Sequence, residues 1–146
     1  MNDDAIILRS ASARDAETIA SHLRELGYPT APSDVPGRVA EIRARGGEIF
    51  LASDRSGAEL GLMSLATLSV LHGPGPVAYI TALVTSESAR RRGVGRTLVE
   101  AAKRWASEQG CVRLTVTSAE HRADAHTFYP SCGLPYTGRR FGASIG

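Results

Sequence analysis

The feature that most constrains this chain is a run that changes period in the middle. Val77 to Thr85 is a β-rich apolar stretch, and Arg90-Arg91-Arg92-Gly93-Val94-Gly95-Arg96 follows it. Val94, Leu98, Ala101, Ala102 and Trp105 then recur at helical spacing up to Gly110. A strand, a glycine-rich basic turn and an amphipathic helix therefore follow one another directly. The helix must lay its apolar stripe on the sheet that holds the strand, which calls for a layered α/β arrangement.

The flanking sequence extends this picture. Ala5 to Leu8 reads as a short strand. Ser12 has the setting of a helix N-cap, Ile19, Leu23 and Leu26 share a helical face, and Gly27 ends that helix. Tyr28 to Gly37, with three prolines, reads as a loop. Val35, Val39 and Ile42 suggest a short second helix stopped by Gly46-Gly47. Glu48 to Ser53 and Leu60 to Leu71 are strand candidates separated by a turn. Val112, Leu114 and Val116 alternate with polar residues, as in a half-buried strand. Ala125, Phe128, Tyr129 and Cys132 share a helical face before Gly133, and Tyr136 to Phe141 reads as a last strand.

The expected order is strand, two helices, three strands, helix, strand, helix, strand. It describes a mixed α/β sheet with helices on its faces. The 146 residues suit one domain, residues 1–146.

Composition narrows the partners. The net charge of +2 is too small to argue for nucleic acid, and no aromatics interleave with the arginines. No apolar run reaches membrane-spanning length, and the acidic start Met1-Asn2-Asp3-Asp4 does not resemble a secretion signal. Cys111 and Cys132 read as free thiols, and a cytoplasmic location is expected. His22, His72 and His121 lack metal-ligand spacing, so no metal is expected.

The basic turn has its own chemistry. A helix start exposes unpaired N–H groups and a partial positive charge. Two glycines there admit close approach to the backbone, and arginines add fixed charge. Such a turn suits a pyrophosphate. It is not a P-loop, since no Gly-Lys-Ser/Thr ends it, and the third glycine of a dinucleotide fingerprint would fall at Leu98. A plain solvated basic turn is the alternative reading.

Arg90 to Gly95 resembles the Arg/Gln-x-x-Gly-x-Gly/Ala acetyl-CoA signature of the GNAT superfamily of N-acetyltransferases. Ala125-His126-Thr127-Phe128-Tyr129-Pro130-Ser131-Cys132-Gly133-Leu134 resembles that family's Ala-x-x-Phe-Tyr-x-x-x-Gly-Phe segment. The resemblance covers essentially Ile6 to Phe141 and implies an α/β (α+β) fold, a mixed, mostly antiparallel twisted sheet of six to seven strands flanked by about four helices.

It implies acetyl transfer from acetyl-CoA directly to a primary amine, on a small molecule or a peptide. The backbone of Leu83 and Val84 would pair with the pantetheine arm. The turn residues Arg90, Arg91, Arg92, Gly93, Val94, Gly95 and Arg96 would hold the pyrophosphate, an N–H near Val84 would polarise the thioester, and Tyr129 would protonate the leaving thiolate. A homodimer is compatible with it.

Three departures stand out. Many relatives have Asn where Arg122 lies, so that Arg122 either contacts cofactor or caps the helix. Thr81 occupies the place of a common acid, and Pro130 follows Tyr129 directly. Glu48 and Glu87 are the remaining candidate bases. A non-catalytic acyl-CoA-binding module is the rival expectation.

Overall fold

The structure is a computed structural model and describes residues 5–117 and 123–146. The strands are β1 (Ile7–Ser10), β2 (Glu48–Ser53), β3 (Glu59–Leu68), β4 (Val77–Thr85) and β5 (Arg113–Val116). The helices are α1 (Ala16–Leu26), α2 (Val35–Ala44), α3 (Val94–Glu108) and α4 (Ala123–Ser131). The strands form one sheet in chain order. The first three pairings are antiparallel, and β4 and β5 run parallel across the α3 crossover.

The sheet has five strands among the described residues, not six to seven. The expected last strand, Tyr136 to Phe141, is irregular. Pro135, Gly138 and paired arginines interrupt its apolar alternation, and Tyr136 and Phe141 are 74% and 89% exposed. With nothing buried, a strand gains little there. β1 also lies further along than Ala5 to Leu8, because Arg9 and Ser10 pair with Leu51 and Phe50.

The loop expected from Tyr28 to Gly37 is shorter in fact. Pro32–Asp34 makes one 3-10 turn, and α2 begins at Val35. Pro36 sits in its first turn, where a missing N–H costs no helical bond. Burial of Val35 and Val39 one turn apart outweighs the breakers Pro36 and Gly37.

Strand alternation divides the core between two faces. On one face α1 and α2 place Ile19, Ala20, Val35 and Val39 over Ile49, Leu51, Leu62 and Val84. On the other, α3 and the end of α4 place Leu98, Ala102, Trp105 and Cys132 over Leu60, Met63, Leu65 and Ile80. Gly61 sets how close α3 comes. A Cβ there would lie 2.7 Å from the Val84 carbonyl oxygen and 3.1 Å from a Val94 methyl. No helix among the described residues is long and apolar enough to cross a membrane.

The start of α1 carries a local charge device. Ser12 and Asp15 form a capping box, with the Ser12 amide donating to Asp15 at 2.8 Å. Arg9 donates both guanidinium nitrogens to Asp15, at 2.9 and 2.7 Å. That fork, helped by Ser12 and opposed by partial burial, holds the Asp15 carboxyl at about 2 instead of 3.8. The folded carboxyl is thus the stronger acid, so its stabilisation is present above the ordinary carboxylate range. It is lost as pH falls towards about 2.

Arg9 is 47% exposed, so the pair is worth about 1 kcal/mol after solvent screening. Asp15→Asn should lower stability by about that amount near neutrality, and the gap should narrow below about pH 4. Urea denaturation of both proteins across that range measures it. A constant gap would refute the linkage.

Candidate active site

β4 changes partners halfway along. β3 follows it along its length, but Ser64 faces Ala82 and Leu65 faces Ile80, which leaves Thr81 as an extra bulged residue. The Thr81 hydroxyl donates to the Ser64 carbonyl at 3.1 Å, fixing the bulge. β5 pairs only with Val77 to Ile80. From Thr81 to Thr85 the edge of β4 that faces β5 has no strand partner among the described residues. Bulges bend a strand and end pairing in this way.

Leu83 and Val84 lie in that open half, opposite Met63 and Leu62. Their side chains are fixed on opposite faces. Val84 is in the α1–α2 core, and Leu83 packs on the α3 side. What they present towards β5 is backbone, the requirement for adding an extended ligand as a strand.

The open half leads straight into the basic turn. The Ser86 amide donates to Leu60, and the Glu87 amide donates to Glu25 of α1 at 2.8 Å. After a 3-10 turn at Glu87–Ala89, Arg91 takes φ 69° and Gly93 takes φ 79°. Both are left-handed; glycine adopts this freely and arginine at a cost of about 1 kcal/mol or more. The first helical bond of α3 runs from the Thr97 amide to the Gly93 carbonyl at 3.0 Å. The amides of Gly93, Val94, Gly95 and Arg96 therefore precede it and point out of the helix start. The Arg92 amide instead donates to Ala89.

The four arginines divide their work. Arg92 pairs with Asp54 of the β2–β3 turn at 3.8 Å. Hydrogen bonds from Ser56 and Ala58, together with Arg92, hold the Asp54 carboxyl below its ordinary range against partial desolvation. Arg96 donates to the carbonyl and hydroxyl of Ser131 at the end of α4, both at 3.2 Å. Arg90 and Arg91 are exposed, and neither enters an ion pair with a described residue.

α4 is seated on the same turn. A Cβ on Gly95 would lie 3.0 Å from the Phe128 ring, so glycine lets that ring sit close over the first turn of α3, where a side chain would push it back. Phe128 meets Tyr129 edge to face, with centroids 5.2 Å apart. Tyr129 is half-buried and thereby held beside the helix start. Pro130 falls in the last turn of α4, where it removes one helical bond and does not break the helix. The Leu134 amide returns to the Tyr129 carbonyl at 2.9 Å, and Lys103 donates to the Cys132 carbonyl at 2.6 Å. Cys132 is 3% exposed in the core, a packing residue.

Between β5, α4 and the chain after Gly133 lies a cavity of about 860 Å³, with Tyr129, Val116 and Thr117 in its wall.

The candidate bases do not gather there. Glu48 is bound by Arg43 at 2.7 Å and Ser10 at 2.9 Å, at the junction of α2 with β1 and β2. Burial opposes its ionisation, but these donors and the Ile49 amide hold it below the ordinary range. Glu87 is exposed and anchors the loop through its amide.

Sequence reasoning missed Glu25 and Asp54, which tie the turn to α1 and to the β2–β3 turn. Nothing in their local sequence signals such distant partners. It also missed the depth of His22, which is 4% exposed on α1 with Nε2 unbonded. Burial holds that imidazole neutral to lower pH, with Glu25 opposing. Arg122 and His121 lie outside the described residues.

Comparison with known proteins agrees with this geometry. The model of the acetyltransferase (GNAT) family matches residues 16–134. Among curated proteins, the aminoglycoside N(6')-acetyltransferase type 1 of Serratia marcescens is 31% identical over 64 residues, 44% of each chain. That match spans less than half of the relative's length. An acetyltransferase from Trypanosoma brucei superposes with TM-score 0.83 at 19% identity, covering 97% of this chain and 100% of the other. Glucosamine-6-phosphate N-acetyltransferase from Arabidopsis thaliana gives 0.83 at 18%, covering 97% and 99%. The aminoglycoside N-acetyltransferase AAC(6')-Iy in complex with CoA also gives 0.83 at 18%, covering 97% and 95%. With more than half of its length matched by the family model, the chain belongs to the acetyltransferase (GNAT) family.

Proposed function

We propose that this acetyltransferase takes the acetyl group from acetyl-CoA and passes it directly to a primary amine, as one N-acetyltransferase domain. The observation that carries this reading is the continuity of the open edge of β4 with the glycine-rich start of α3, closed over by α4. In that arrangement Leu83 and Val84 receive the pantetheine arm through their backbone. The amides of Gly93, Val94, Gly95 and Arg96 receive the pyrophosphate, with Arg90 and Arg91 adding charge.

The chemistry then balances simply. The amine nitrogen attacks the thioester carbon, the N–C bond forms, and the C–S bond breaks. An N–H near Val84 stabilises the carbonyl oxygen. Tyr129 gives its hydroxyl proton to the departing sulfur. The amine loses a proton to a water relay, since Thr81 spends its hydroxyl on the bulge and Glu48 is engaged elsewhere.

The test is to mix the protein with acetyl-CoA and a panel of amines and follow free thiol. Thiol release that depends on one class of amine is the expected result. Tight acetyl-CoA binding with no release from any amine would instead establish the acyl-CoA-binding module.

A further inference from the structure

The cavity beside Tyr129 has an uneven charge. Arg113, Arg139 and Arg140 line it, and its described wall carries no aspartate or glutamate. One of these arginines is placed at the reacting end. Val116 and Ile80 are the last paired residues of β5 and β4, and Thr117 is the next residue along. Arg140 donates to the Thr117 hydroxyl at 3.3 Å. Its guanidinium thus sits at the C-terminal end of β5, in the cavity that Tyr129 also lines. If Tyr129 faces the thioester, as the proposed function requires, an acceptor that reaches it through this cavity passes Arg140.

We infer that the acceptor carries an oxyanion, phosphate or carboxylate, near its amine, and that Arg140, with Arg139 beside it, recognises that group. This inference rests on the acetyl-transfer reading above. A guanidinium offers parallel N–H donors that match a planar or tetrahedral oxyanion. A polycationic acceptor finds no carboxylate on the described wall and meets Arg139 and Arg140, of its own sign, with Arg113 at the opposite end of β5. Like-charge juxtaposition of that kind disfavours wrong partners. The apolar share of the wall, from Leu114, Val116 and Leu134, suits the carbon skeleton that joins the two groups.

The experiment uses the protein saturated with coenzyme A, so that its own phosphates are already accommodated. Calorimetry then compares glucosamine 6-phosphate with glucosamine, and an amino acid with its amide. At least one anionic partner should bind about tenfold or more tighter than its uncharged counterpart. Arg140→Gln should remove that preference while leaving coenzyme A affinity within about twofold, and Arg140→Lys should restore part of it.

Equal binding of charged and uncharged partners would overturn the inference, as would no binding of either. A loss of coenzyme A affinity in Arg140→Gln would overturn it as well, by assigning the arginine to coenzyme A. Thiol release that favours a polycationic aminoglycoside over every anionic amine would do the same. Failure of the unsaturated protein to bind coenzyme A at all would be a different result, one against the acetyl-CoA reading.

Discussion

Tyr129→Phe should lower turnover by about 10²- to 10⁴-fold while acetyl-CoA affinity and stability change little. The argument starts from how the ring is held. Phe128 closes over Gly95, Tyr129 packs edge to face on Phe128, and Gly133 and Leu134 turn the chain back to the Tyr129 carbonyl. Phenylalanine keeps the ring and this packing, so the fold should survive. What leaves is the hydroxyl, the group that hands a proton to the departing thiolate within this reading. A water molecule taking its place would put the loss at the low end. The measurement is turnover and acetyl-CoA affinity on both proteins with a working acceptor. Turnover within about twofold of wild type, far short of a general-acid effect, would make Tyr129 a packing residue.

The sequence was most legible where one local pattern decides the outcome. β4 begins and ends where its apolar run does, and α3 starts immediately after the glycine that punctuates the turn. Gly27 caps α1 in a left-handed conformation as its position implies. The sequence was least legible where two distant segments decide together. The bulge at Thr81 exists only in register with Ser64, and the open edge of β4 exists only because β5 stops at Val116. Neither has a signature on its own strand.

The arginine cluster shows the same division. Its position at a helix start was plain, but its four side chains look equivalent in sequence. Asp54 and Ser131, remote in the chain, separate Arg92 and Arg96 from Arg90 and Arg91. The last strand failed for a related reason. Tyr136 and Phe141 are strand-forming residue types, yet they are five apart, would face opposite sides of a strand, and have no apolar surface to receive them.

Gly93→Val should weaken acetyl-CoA binding by at least about tenfold, or 1.4 kcal/mol. Two causes act together. A Cβ at this position meets nothing within 4 Å, so the protein itself does not crowd it. The backbone, however, sits at φ 79°, where a β-branched side chain is strained. The space a side chain would fill is also the approach to the outward-facing amides that begin α3.

Gly93→Asn separates the causes, because asparagine tolerates the left-handed region and still places a side chain over the amides. Loss of affinity in both variants would locate the pyrophosphate at these amides. Loss in valine alone would trace the effect to backbone strain. Wild-type affinity should also fall as salt rises, since Arg90 and Arg91 are exposed and their attraction is screened. Calorimetry on the three proteins at two salt concentrations makes the comparison. Unchanged affinity in Gly93→Val would remove the pyrophosphate from the start of α3.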